Sequence, residues 1–286
     1  MVPNPDYSGS PKAGVKLQFK EYTSDTAVYT ELRTGALTTD GPNVAVPSTD
    51  LARAGKGFEP PSNPLASEGY TLDPAYEYGI GYAYINFNNP TYGPVFKQVY
   101  FRQALMMLNN RKSMSSSVGR SYSYPTTAGV PPEPSAGNPF VSSAMQENGG
   151  SGPYPYDPSK AEALLAAHGW KVVGGVLTCK GSCGAGIAKG TQAKFSIIYT
   201  SGLSTQAAFV QILKSGFSQA GIQLTAVPET FHNYANYNAE QVPSLWLPWN
   251  TSIYAVSNDL HNATWSPFTT YFPQFWTCSN ATCATR

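Results

Sequence analysis

Thiols, imidazoles, paired carboxylates and activated hydroxyls are the side chains that usually do chemistry, and few of them are arranged to do so in this chain of 286 residues. Four cysteines fall as two close pairs, Cys179 and Cys183 within TCKGSCG and Cys278 and Cys283 within CSNATC. Two local disulfides, each clipping a small turn in an oxidising compartment, explain that pairing most simply. A zinc site is the second reading, although it wants a spacing of about two to four residues in both knuckles and a fold that brings the pairs together. Free thiols are the third. His168, His232 and His261 show no metal-ligand spacing, and no H-E-x-x-H, P-loop, G-x-G-x-x-G or G-x-S-x-G pattern occurs. A Ser/His/Asp triad can be composed on paper from any chain with three histidines, so it has no support here. Only 17 acidic residues are present and none sits in an evident cleft motif of the kind paired-carboxylate hydrolysis needs. What remains is recognition, which needs a cleft with aromatic walls and a few aimed polar groups. Tyr84, Asn86, Trp246, Trp249, Asn250 and Tyr254 offer that chemistry and are the candidate ligand-binding residues. Core packing is the competing reading of the tryptophans. No catalytic residue, metal ligand or cofactor is expected.

These residues need elements to hold them, and the stretch from Tyr82 to Arg111 supplies the first. Tyr82, Tyr84 and Phe87, with Ile85 between, read as a short strand. Asn88-Asn89-Pro90 breaks it, because proline cannot donate to a ladder and restricts the residue before it. From Lys97 the period changes. Phe101, Ala104, Leu105 and Leu108 recur on one face of a helix, and Arg111 and Lys112 stand at its end, where positive charge suits the dipole.

Earlier in the chain, Val15, Leu17 and Phe19 alternate with Lys16, Gln18 and Lys20, which predicts a strand with one wet face. Asp25 to Thr34 reads as a short helix capped by Thr23 or Ser24 and closed by Gly35. Residues 40–75 read as a long surface loop, with a strand at Asn43 to Val46 as the alternative for that part of it. Later, Asp157 is a natural cap for a helix starting at Pro158, with Ala161, Leu164, Leu165 and His168 on one face and Gly169 at its end. His168 reads as a helix-end residue packed against Trp170 rather than as a ligand. Phe195 to Tyr199 is an apolar strand. Ser204 then caps an amphipathic helix faced by Phe209, Ile212, Leu213, Phe217 and Ala220, with Gly216 permitting close packing. Gly221 stops it, and Gln223 to Val227 makes the next strand. Strand, helix, strand at this length predicts a βαβ unit and a partly parallel sheet.

Composition narrows the class further. Charged residues make up only 12%, against roughly 25% in an average soluble domain. With 19 tyrosines, 24 prolines and 26 glycines, the surface is polar but little charged, as in many secreted proteins that bind neutral or amphipathic ligands. A net charge of +1 gives no support to a nucleic-acid partner. No apolar run reaches the ~18 residues of a membrane span. The opening MVPNPDYSGSPKAG lacks the basic and apolar regions of a signal peptide.

Y-x-N-F-N, followed by F-R-Q-A-L and N-R-K, resembles the family 5 extracellular solute-binding proteins, the peptide- and nickel-type receptors of ABC importers. In that family a strand ending in F-N precedes V-R-Q-A-L-x-x-A-I-D-R; here Leu108-Asn109-Asn110 replaces the apolar pair and aspartate. PTTAGVPPEP is similar to the loop that follows that helix, and Y-D-P-x-K-A-x-x-L-L-A-x-x-G-W is the most specific local match. VPSLWLPWNTSIYAVS resembles the family's C-terminal stretch. Beyond Phe231 a long family segment is replaced by His232 to Gln241, and the N-terminal part of the first lobe is also missing, so the resemblance implies a truncated relative that begins inside a longer gene. It implies an α/β, bilobal, periplasmic-binding-protein-like fold of type II with one lobe incomplete. Residues 1–80 would be a partial first lobe, 81–235 the second lobe, and 236–286 the return to the first. The implied function is non-enzymatic: an oligopeptide or similar solute bound between lobes and handed to an ABC permease by a monomeric protein. The implied location is extracellular, cell-surface with a lipid anchor in the full-length form, or periplasmic. A nickel role has no support in the histidines. The triplets at Asn250, Asn262 and Asn280 fit N-glycosylation, which matters only in a eukaryotic host. In peptide-binding relatives an aspartate that pairs with the ligand's ammonium lies in the segment missing here. The alternative function is a secreted hydrolase with an aromatic-lined groove.

Overall fold

The strand–helix–strand unit read from Phe195 to Val227 is present as β4 (Lys194–Thr200), α7 (Ser204–Gln219) and β5 (Gln223–Glu229), with the two strands parallel and Phe195 opposite Leu224. These and the other elements come from a computed structural model. It describes residues 4–9, 14, 16–38, 46–47, 49–55, 61–72, 82–85, 87, 89–122, 125, 142–230, 233 and 249–252. Before the unit come α1 (Asp25–Arg33), β1 (Tyr82–Ile85), α2 (Gly93–Lys97), α3 (Val99–Leu108), α4 (Arg111–Ser113), α5 (Ser143–Gly150), α6 (Pro158–Ala167) and the hairpin β2 (Trp170–Val173) and β3 (Val176–Cys179); β6 (Trp249–Ser252) follows it. One sheet has the order β1-β6-β4-β5, with β6 parallel to β4 and antiparallel to β1.

α7 buries Phe209, Val210, Leu213, Gly216 and Phe217, while Ile212 stays half-exposed, so the buried stripe runs slightly to one side of the expected one. Gly216 is required by contact. A Cβ there would lie 2.0 Å from the Leu108 carbonyl oxygen, so α7 rests backbone to backbone on the end of α3. α3 turns Phe101, Ala104, Leu105 and Leu108 inward, as their spacing predicts. The helical run starts earlier than Lys97 because the buried Asn89 side chain accepts from the amides of Thr91 and Tyr92 at 3.0 and 2.8 Å, and Pro94 fits the first turn. Gln98, extended at ψ 120°, then separates α2 from α3. Phe96, Phe101, Trp170, Phe195 and Phe217 fill the main core, several of them edge to face.

α1 begins as expected, Ser24 accepting from the Ala27 amide, and Gly35 closes it at φ +72°. α6 is capped by Asp157, which accepts from the Lys160 amide at 2.9 Å. Three readings change. Residues 16–20 form no strand, and Leu17 and Phe19 are exposed, since alternation of apolar and polar residues does not by itself make one. Arg111 does not close α3; it is buried, and its guanidinium donates to the carbonyls of Ser151 and Tyr154 at 3.1 and 2.6 Å. Ser204 is the first residue of α7, not its cap.

A second, smaller core gathers Tyr29, Leu32, Val46, Leu51 and Leu65. All five fall within 1–80, the stretch expected to be the partial first lobe. β6, within 236–286, pairs into the sheet that holds β4 and β5.

Candidate functional site

From β4 the chain passes through α7 to β5 on one side, while β6 lies on the other side of β4. The strand order therefore reverses between β4 and β6, and in an open α/β sheet the crevice for a ligand lies outside the carboxyl ends of the strands at such a point. Ser201 donates to the Glu229 carbonyl and Gln223 to the Ala193 carbonyl, which turns the odd-numbered amides of β4 toward β5. The Thr200 amide therefore faces the β6 side. β6 is paired with β4 only at Ile197 and Ile198, so Thr200 lies beyond the ladder. Its amide instead donates to the Gln206 side-chain oxygen at 2.9 Å, and both residues are buried. Gln206 is the one polar side chain on the buried stripe of α7. That polar interruption was the available signal for a residue at the crevice, and its spacing alone did not disclose the role.

Three of the six candidate ligand residues fall in neighbouring rows of this sheet, at the amino end of β6 rather than at the carboxyl ends of the parallel strands. Tyr84 is the register partner of Asn250 across β1 and β6, and Asn250 lies level with Ile198 of β4. Trp249 occupies the next row, between Ile85 and Ile197. Ile197 belongs to the main core and Ile85 packs on it, whereas the buried Ile198 lies outside that cluster. Asn86, Trp246 and Tyr254 lie outside the described residues.

Cys179 and Cys183 form the expected local disulfide; Cys278 and Cys283 lie outside the described residues. The loop it closes is braced on α3. The Tyr100 phenol donates to the Cys183 carbonyl and accepts from the Trp170 indole at 2.8 Å. His168 stacks on the Tyr100 ring with centroids 3.7 Å apart, so its partner is Tyr100 rather than Trp170. Burial raises the Tyr100 phenol above its ordinary pKa, against a smaller lowering by the Trp170 donor. Burial also pushes the Arg111 guanidinium down to about 10. A cavity of about 270 Å³ lies between α6, the β2–β3 hairpin and the end of α7, floored by Leu165, Trp170 and Leu177. No group of three or more His, Cys, Asp or Glu suited to a metal occurs among the described residues.

Residues 1–272 match the family model described as bacterial extracellular solute-binding proteins, family 5 middle. The chain belongs to that family. No curated protein sequence matches it. Among solved structures, the oligopeptide-binding protein AppA of Bacillus subtilis, in complex with a nonapeptide, is similar over 84% of this chain and 41% of its own, with TM-score 0.55 and 18% identity. The periplasmic oligopeptide-binding protein of an ABC transporter from Thermotoga maritima, bound to mannohexaose, is similar over 93% of this chain and 46% of its own, with TM-score 0.56 and 16% identity. The periplasmic binding protein MelB of Agrobacterium fabrum, in complex with stachyose, is similar over 80% of this chain and 32% of its own, with TM-score 0.52 and 16% identity. The fold is thus the α/β fold of the bilobal periplasmic binding proteins, and this family 5 chain spans less than half the length of these relatives.

Proposed function

We propose that this chain is the solute-binding component, or part of it, of an ABC importer. It holds an oligopeptide or a similar small solute at the β4–β6 crevice and delivers it intact to a membrane permease. The observation that supports this most is the switch-point crevice itself. In a family of solute-binding proteins, Tyr84, Trp249 and Asn250 hold adjacent register positions in the rows below the carboxyl end of β4, which supports them as residues near that crevice. Asn86, Trp246 and Tyr254 complete the proposed ligand-binding set. The relatives' ligands, a nonapeptide, mannohexaose and stachyose, are all extended polar oligomers, which is why the proposal covers oligosaccharides as well as peptides.

The lobe division at residues 80 and 235, a monomeric state and a location outside the cytoplasmic membrane, lipid-anchored or periplasmic, belong to the same proposal. The test is equilibrium dialysis against pools of oligopeptides and of manno- and galacto-oligosaccharides, with mass spectrometry of both compartments. Unchanged ligand masses in both compartments, with enrichment on the protein side only at millimolar concentration, are the expected result. Accumulation of cleaved products would instead point to the secreted hydrolase and overturn the proposal.

A further inference from the structure

α7 has no cap of its own. Leu203, the residue before its first turn, offers no side-chain acceptor, and the amides at a helix start are left unpaired unless something outside the helix takes them. The acceptor comes from 179 positions earlier in the sequence. Asp25, at the start of α1, accepts through Oδ2 from the Ser204 amide at 3.1 Å and from the Ser204 hydroxyl at 2.5 Å. Its own amide donates to the Gly202 carbonyl at 3.3 Å. The fit there is close: a Cβ on Gly202, at φ +83°, would lie 2.1 Å from the Thr23 carbonyl oxygen.

The N-terminal unit built around Tyr29, Leu32 and Leu51 is clasped to the body at a second place. Ala54 donates to the Arg120 carbonyl at 2.8 Å, Arg120 Nε donates to the Leu51 carbonyl at 2.9 Å, and Tyr122 packs on the small core. Arg120 and Ser121 stand at φ +49° and +67°, a left-handed pair without a glycine, which surrounding contacts must hold in place.

We propose that docking of the N-terminal unit controls the lip of the crevice through the first turn of α7. With the unit docked, Asp25 caps that turn. The turn in turn presents Gln206, whose side chain takes the Thr200 amide at the point where β4 parts from β6. When the unit lifts, the cap leaves, the first turn frays, and Thr200 loses its acceptor. The N-terminal unit and the crevice are then two ends of one coupled element, whatever solute the crevice takes.

Amide hydrogen exchange on the whole chain tests this. Asp25→Ala removes the side-chain acceptor. Arg120→Ala loosens the other clasp and leaves Asp25 in place. Both variants are expected to speed exchange about fivefold at residues 204–207 and at Thr200, the size of effect a lost cap produces, with Val210 to Phe217 unchanged. Faster exchange at 204–207 without any change at Thr200 would break the coupling. An effect of Asp25→Ala that Arg120→Ala does not share would show that the unit does not dock as one body. Equal acceleration through Phe217 would mean general destabilisation. Each of these three results overturns the proposal.

Discussion

Tyr100 holds together three things that the chain separates widely: the Trp170 indole, the Cys183 carbonyl and the face of His168. It does so as a neutral phenol, since it must donate to Cys183, and burial raises its pKa accordingly. The sign of the pH effect follows. A group with a folded pKa above its unfolded one contributes stability in full below the unfolded value, about 10 for tyrosine, and loses it as pH rises through the folded value. Arg111 acts in the opposite sense. With its pKa depressed to about 10 by burial, its loss of a proton relieves the fold as pH rises between that value and the ordinary one. A comparison with Tyr100→Phe separates the two, because Arg111 is common to both proteins. Urea denaturation from about pH 8 to about pH 11 is expected to show a fall in stability that is smaller in Tyr100→Phe. Parallel curves for the two proteins would show that the phenol does not titrate with unfolding.

Elements were legible where the information lay within about ten residues. Ser24 and Asp157 announce α1 and α6, and the apolar stripe of α7 between two strands announces the βαβ unit. The stripe should be worth what its burial suggests. Phe209, 7% exposed, reduced to alanine is expected to cost about 3–5 kcal/mol in denaturant unfolding, and a loss within error would mean that this face is not in the core. The local pairing of Cys179 with Cys183 was also legible, being a matter of four residues' separation. Peptide mapping of unreduced protein is expected to recover that link, and a cross-link to Cys278 or Cys283 would contradict it. Reduction is expected to cost no more than about 2 kcal/mol, since the entropy of opening so short a loop is small.

What stayed hidden had its partner far away. The cap of α7 comes from Asp25, and the role of Arg111 comes from the carbonyls of Ser151 and Tyr154. For the same reason, the candidate site was legible only as a set of residue types. The spacing from Tyr84 to Asn250 says nothing of their adjacency, which depends on β6 entering the sheet between β1 and β4.

At the scale of the molecule, affinity depends on how much of the cleft this chain supplies. In a bilobal receptor it comes from two walls that close, exclude water and align a few polar groups, and a single wall forfeits most of the desolvation and the alignment. This chain aligns with 41% of AppA and 46% of the Thermotoga protein. The chain alone is therefore expected to bind weakly, with no saturation below about 1 mM, which corresponds to roughly −4 kcal/mol. Titration of a mixed oligopeptide pool, followed by tryptophan fluorescence and repeated with the oligosaccharide pools, measures this. A flat or linear trace is the expected outcome. Saturation at micromolar concentration, lost in Trp249→Ala, would show the opposite: that the β4–β6 crevice with the residues present forms a sufficient cleft, and that Trp249 serves the ligand rather than the core row it shares with Ile85 and Ile197.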